Sequence, residues 1–156
     1  MDWFFLLATV VLIAQLVIAS WFDWKFMIIP NSLNLSLAFT GVGASYFISA
    51  APLWPSLLKI AFVYAFFWLL AALYQVVRGQ RGLGGGDIKF LAAASAWVDV
   101  QALPWVVLVA SVLGLAMAVV AKWRGAVLAA DQRFPFGPYL AIGLLVVWLG
   151  ANKLGV

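Results

Sequence analysis

The 156-residue chain contains no cysteine and no histidine, and its only carboxylate side chains are five aspartates. Without cysteine there are no disulfides, zinc–thiolate sites or thiol nucleophiles. Without histidine the commonest metal ligand and the commonest proton-transfer group near neutral pH are also missing. Charge is scarce as well: 9% of residues are charged, where a soluble domain carries about 25%. Nothing in such a composition coats a water-facing surface of ordinary size. Any chemistry falls to the aspartates, the lysines and arginines, and hydroxyl groups, and neither a metal nor a cofactor is expected.

What the chain has in plenty is apolar. Hydrophobic residues make up 67%, including nine Trp, four Tyr and twelve Phe. With the bilayer as solvent this composition works, because side chains facing lipid need no polarity. The aromatic residues suit belts at the two membrane interfaces. A net charge of +4 would suggest nucleic acid in a soluble protein. Here basic residues at the ends of spans account for it, and no nucleic-acid partner is expected.

A membrane helix needs about 20 mostly apolar residues. Six stretches approach that: Trp3–Phe22, Ser32–Ala50, Leu57–Val77, Asp87–Leu103, Pro104–Ala121 and Pro138–Lys153. The first reads as a membrane helix and not as a signal peptide, since no basic residue precedes it and it outruns a signal core. Pro30 closes the first junction, and Pro52 and Pro55 mark the next turn. The second stretch is diluted by Asn34, Ser36, Thr40, Gly41, Gly43 and Ser45, which suit close helix packing. In the fourth only Ile88–Val98 is strongly apolar, so that helix is short or buried. The expected fold is an all-α membrane protein, a bundle of about six transmembrane helices forming one domain over residues 1–156. Lys25, Arg78, Arg81, Lys89, Lys122, Arg124 and Arg133 fall in the loops after odd-numbered spans, against Lys59 and Lys153 on the other side. The bias places the odd loops in the cytoplasm and the N-terminus outside.

Three of the five aspartates have simple expected roles. Asp2 is solvated at the N-terminus, Asp99 sits in a solvated turn, and Asp131 is a solvated loop acid. Asp23 and Asp87, 64 residues apart, both fall at helix ends on the cytoplasmic side. Two carboxylates at one depth on separate helices can meet across a bundle. A close pair shares one proton, and its two titrations split. One member then acts as base toward a water and the other as acid toward a carbonyl oxygen. The residues alone leave a plainer alternative, with Asp87 as a helix N-cap and Asp23 as an interfacial acid in water. Gly84, Gly85 and Gly86 remove side chains just before Asp87, letting another backbone come close. They do not form a phosphate loop: no Gly-Lys-Ser/Thr follows, and an aspartate at the helix start repels phosphate.

At these residues the sequence resembles the type 4 prepilin-like leader peptidases, membrane aspartic peptidases of bacteria and archaea. Gly84-Gly85-Gly86-Asp87-Ile88-Lys89 matches the family's Gly-x-Gly-Asp-x-Lys element. Asp23 followed by Ile29-Pro30-Asn31 is similar to its first-aspartate element, and Phe134-Pro135-Phe136-Gly137-Pro138 to the stretch that opens its last helix. The resemblance implies that Asp23 and Asp87 are the catalytic pair, with Gly84, Gly86, Lys89, Pro30 and Asn31 as supporting motif residues. It implies pilin-like precursors with a short basic leader as substrates, cut at the cytoplasmic face by a multi-pass protein of the bacterial inner membrane. Lacking the cysteine-rich segment of the larger members, the chain is expected to resemble the small peptidase-only members of tight-adherence pilus systems, without methyl transfer. Helix dipoles assign Asp87 as the ionised base and Asp23 as the protonated acid. Rival readings are a small transporter or proton relay, a non-catalytic pilus or secretion assembly factor, and a presenilin-like protease.

Overall fold

The computed structural model describes residues 3–50, 52–80, 82–124 and 135–154. The readings for Asp2, Arg81, Asp131, Arg133 and Phe134 lie outside those residues, as does the side chain of Lys153. The described chain folds into α1 (Trp3–Phe26), α2 (Asn31–Ser49), α3 (Leu53–Arg78), α4 (Gly85–Ala94), α5 (Leu103–Trp123) and α6 (Gly137–Leu154). A 3-10 turn at Val100–Ala102 leads into α5, and no strand occurs among the described residues. Among the described residues three helices are long and apolar enough to cross a membrane: α1, α3 and the segment Val100–Trp123. The protein is therefore an all-helical membrane protein.

Three helix boundaries differ from those expected, each for a local reason. The first helix runs past Phe22 to Phe26, because nothing before Pro30 breaks it. It stops at Met27, which takes φ 54° while its N–H donates to the Asp23 carbonyl at 2.9 Å. Asp23 thus belongs to the end of α1 and not to the loop. At its own start, α3 takes in Pro55, whose missing N–H falls in a first turn where amides have no helical partner anyway.

The largest difference lies in the fourth stretch, which is not one helix to Leu103. It divides into the ten-residue α4, a turn, and the start of α5. Short-range bonds from Ala96 N–H to Ala93 O (3.1 Å) and Trp97 N–H to Ala94 O (2.9 Å) tighten and end α4. Ser95 Oγ donates to the Ala92 carbonyl at 2.6 Å, and Trp97 Nε1 donates to the Leu37 carbonyl in α2 at 2.8 Å. These side chains give the backbone an alternative to further helix. At roughly 1.5 Å per residue, α4 is about half as long as the hydrocarbon core is thick. It is instead an interior helix, with Ile88 and Phe90 to Ala94 all buried.

Around α4 the longer helices close. On α1, Leu12, Leu16, Ala19 and Asp23 share one buried face at helical spacing. That helix neighbours α2 and α6, α2 neighbours α3 and α4, and α5 lies beside α6. A polar clasp joins α1 to α2: Gln15 Nε2 donates to Ser36 Oγ (2.7 Å), and Thr40 Oγ1 donates to Gln15 Oε1 (3.0 Å). Trp148 Nε1 donates to Thr9 Oγ1 at 3.0 Å and ties α6 to α1. At the periphery α3 buries only Ser56 and Val63, leaving the rest of its surface for lipid. Asp99, expected as a solvated acid, is 77% exposed and lies 3.6 Å from Lys59.

Where α5 and α6 cross, a side chain has no room. A Cβ on Gly143 would lie 2.5 Å from the Val106 carbonyl oxygen, a backbone atom that cannot step aside. Gly143→Ala is therefore expected to destabilise the bundle by about 1–3 kcal/mol. The check is the thermal midpoint of the detergent-solubilised protein, which should fall.

Candidate active site

The site is built where α1 ends, α2 and α4 begin, and α6 enters the bundle. At the α1–α2 corner the chain passes from Met27 through buried Ile29 to Pro30, which precedes the first residue of α2. The corner meets the first turn of α4 at Gly86. A Cβ there would already touch Ile29, 3.7 Å from its backbone nitrogen. Beside that contact Lys89 Nζ donates to Asn31 Oδ1 at 2.7 Å. Four of the supporting residues marked in the sequence, Pro30, Asn31, Gly86 and Lys89, are thus brought together from two stretches 55 residues apart at their nearest, Asn31 and Gly86. Lys89 thus finds its partner within the protein.

Asp87 is not the N-cap that the plainer alternative made it. Gly84 occupies that position, and Asp87 is the third residue of α4. From there its half-buried carboxylate reaches back toward the Gly84 backbone amide. The reach explains the glycine: a Cβ at Gly84 would sit 2.8 Å from Asp87 Oδ2.

Asp23 is buried on the inner face of α1. The N–H of Gly137 donates to its Oδ2 at 2.7 Å, a bond buried from solvent and made across 114 residues of sequence. Gly137 is the first residue of α6, so Asp23 anchors the N-terminus of that helix. The approach is close enough that a Cβ on Gly137 would fall 2.8–2.9 Å from three Asp23 atoms. Gly137 was visible in the sequence only as part of Phe134-Pro135-Phe136-Gly137-Pro138, and its bond to Asp23 was not.

The two acids share one end of the bundle. Asp87 feels the charge of Asp23, and its carboxyl is pushed up to about 6, first by burial and second by that charge, with the Gly84 amide opposing. Replacing Asp23 with Asn removes one of the two raising causes and leaves the larger. The Asp87 carboxyl is therefore expected to titrate near pH 6 in the wild type. In Asp23→Asn the midpoint should move lower while staying above the ordinary carboxylate range. Carboxyl ¹³C shifts or the infrared C=O band measure this directly, and an unmoved midpoint would contradict the pairing.

The geometry also removes the basis of the dipole assignment. Counting only the helix that carries each acid set Asp23 at an unfavourable C-terminus and Asp87 at a favourable N-terminus. In the fold Asp23 also faces an N-terminus, that of α6, through the Gly137 amide. Each acid therefore has a backbone amide and a helix start beside it, and the helix ends no longer separate their roles.

Two carboxyl groups within electrostatic reach, half-buried or buried at one end of a membrane bundle, have the composition of a proton-sharing pair. Curated relatives include the prepilin leader peptidase/N-methyltransferase of Burkholderia pseudomallei, 39% identical over 137 residues, covering 88% of this chain and 44% of that protein. The protein of the same name from Neisseria gonorrhoeae is 31% identical over 148 residues, covering 95% and 50%. That from Pseudomonas aeruginosa is 33% identical over 133 residues, covering 85% and 45%. The chain spans about half the length of the curated relatives it matches. No solved structure matches it. Residues 10–119, a stretch that holds both Asp23 and Asp87, match the type IV leader peptidase family. By that match and these identities, the chain belongs to the type IV leader peptidase family.

Proposed function

We propose that Asp23 and Asp87 form the catalytic pair of a prepilin leader peptidase. The substrates are pilin-like precursors with a short basic leader, cut at the cytoplasmic face of the bacterial inner membrane. The observation that carries the reading is the gathering of the two acids at one end of the bundle, Asp23 on the amide that opens α6 and Asp87 in the first turn of α4, where Gly86 packs on Ile29. Family membership supplies the reaction class and the substrate class. The N-methyltransferase activity in the relatives' names is not part of the reading.

In this reading Asp23 Oδ2 accepts the Gly137 N–H, a bond that favours the ionised form of that carboxyl. The proton shared by the pair rests with Asp87, whose raised carboxyl holds it more readily than an ordinary aspartate. Asp23 takes a proton from water as the water oxygen attacks the scissile carbonyl, and Asp87 gives its proton to the carbonyl oxygen. Collapse of the tetrahedral intermediate breaks the C–N bond: the leaving amine receives the proton from Asp23, and a diol hydroxyl returns its proton to Asp87, which restores the pair. The roles are the reverse of those expected from the helix ends.

Residues 1–156 then act as one multi-pass domain, N-terminus outside, which puts both acids on the cytoplasmic side. The support is the charge bias of seven basic residues against two. Assignment to the tight-adherence pilus type belongs to the same reading. Its test is incubation of the reconstituted protein with a synthetic precursor carrying a basic leader before an apolar stretch. A single cut releasing the leader, identified by mass, is the expected result. An uncut precursor under conditions where a known family member cleaves it would overturn the reading.

A further inference from the structure

Asn34 is an unusual residue for its place. It is 5% exposed, and both polar atoms of its carboxamide are buried without a hydrogen-bond partner among the described residues. A buried amide left unpaired is costly, and in folded proteins such groups are rare unless they serve a ligand, a water or a reaction. Three neighbours locate it. Gln15 bonds both Ser36 and Thr40, which fixes the antiparallel register of α1 and α2 and sets Asp23 level with the start of α2. Lys89 bonds Asn31, which sets the first turn of α4 at that same level. Asn34, one helical turn further along α2, therefore lies about one turn deeper than Asp23 and Asp87. Its face of α2 also carries Leu37 and Gly41, and both meet the end of α4: Trp97 Nε1 donates to the Leu37 carbonyl, and a Cβ on Gly41 would strike Ala96 and Trp97. The carboxamide is thus held between helices just beneath the acids.

We infer that Asn34 is a positioning residue of the aspartate site, its carboxamide hydrogen-bonding a water molecule shared with Asp23 and Asp87. The inference rests on the proposed peptidase reading and extends it by one residue. An amide suits this work because it both donates and accepts and carries no charge, so it orders a water without competing for the proton of the pair. It acts on the turnover step and not on the capture of the precursor.

The test measures kcat and KM of the reconstituted full chain on the synthetic precursor, together with its thermal midpoint. Asn34→Leu keeps the shape and removes the polar atoms. It is expected to lower kcat by at least ~10-fold with KM within about twofold, while the midpoint holds or rises because an unpaired buried amide is gone. Asn34→Thr and Asn34→Val have one shape and differ only in a hydroxyl, so Thr should retain several-fold more activity than Val. Wild-type kcat in Asn34→Leu would overturn the inference. Should the Leu variant fail to fold, equal kcat in Thr and Val would overturn it instead. Asp87→Asn runs in the same assay: full cleavage by that variant would sink the peptidase reading itself, whereas an inactive Asp87→Asn beside a fully active Asn34→Leu removes only the role of Asn34.

Discussion

Asp23→Asn and Asp87→Asn are each expected to lower precursor cleavage by about 10³-fold or more while the bundle remains folded. The size follows from what each group does. A carboxamide neither takes a proton from water nor gives one to a carbonyl oxygen, so either change removes one half of the proton traffic. The fold should tolerate both. At Asp87 the side-chain oxygen of Asn still faces the Gly84 amide, as the carboxylate does now. At Asp23 the amide oxygen of Asn can accept the Gly137 N–H in place of Oδ2. Substitution also takes a charge-bearing group out of a buried position, which costs the folded state nothing. A loss of cleavage without a drop in thermal midpoint separates a chemical role from a structural one.

Gly137→Ala should have the next largest effect. The added Cβ would lie 2.8 Å from Asp23 Oδ2 and 2.9 Å from its Cβ and Cγ, with Asp23 itself buried. These atoms are the near part of a short side chain and cannot swing away as a lysine tip would. The start of α6 must retreat or the carboxylate must turn, and in both cases the 2.7 Å amide bond is broken. A displacement of about 1 Å at a reacting group costs on the order of 10² in rate, so cleavage should fall by roughly that factor. The strain on stability is smaller, about 1–3 kcal/mol, and is partly offset because Ala is a better helix former than Gly. Measured together, kcat should drop far more than the midpoint. Wild-type turnover in this variant would show that the Gly137 contact does not orient Asp23.

How much of this was legible in the sequence depends on how local its cause is. Membrane residence and the all-helical class follow from composition, because an apolar backbone in lipid satisfies its own hydrogen bonds only as helix or closed barrel. Four helix ends lie near the prolines and glycines that mark them, as with Pro30, Pro52, Gly79 and Gly84. The length of α4 was not legible. The apolar run Ile88–Val98 continues through Ser95 and Trp97, and hydropathy carries no sign that their side chains end the helix by bonding to carbonyls. At the site, Asp23, Asp87, Pro30, Asn31, Gly86 and Lys89 were marked as motif residues, and the fold gathers them. The Gly137–Asp23 bond escaped because it joins positions 114 apart, and backbone donors leave no trace in residue type. The role assignment from helix ends counted only the helix that carries each acid, and so did not include the α6 start that faces Asp23. Asn34 passed as one of several polar residues diluting a span, since its lack of partners is a property of the folded surroundings alone.

The central claim is that Asp23 and Asp87 work as one unit. The direct measurement is the cleavage rate of wild type, both single Asn variants and the double variant, on one precursor under one set of conditions. A unit that needs both members is already disabled by the loss of either, so the double variant should be no slower than the slower single. Multiplying losses would mean two acids with separate duties, and a single variant that cleaves at the wild-type rate would contradict the pair.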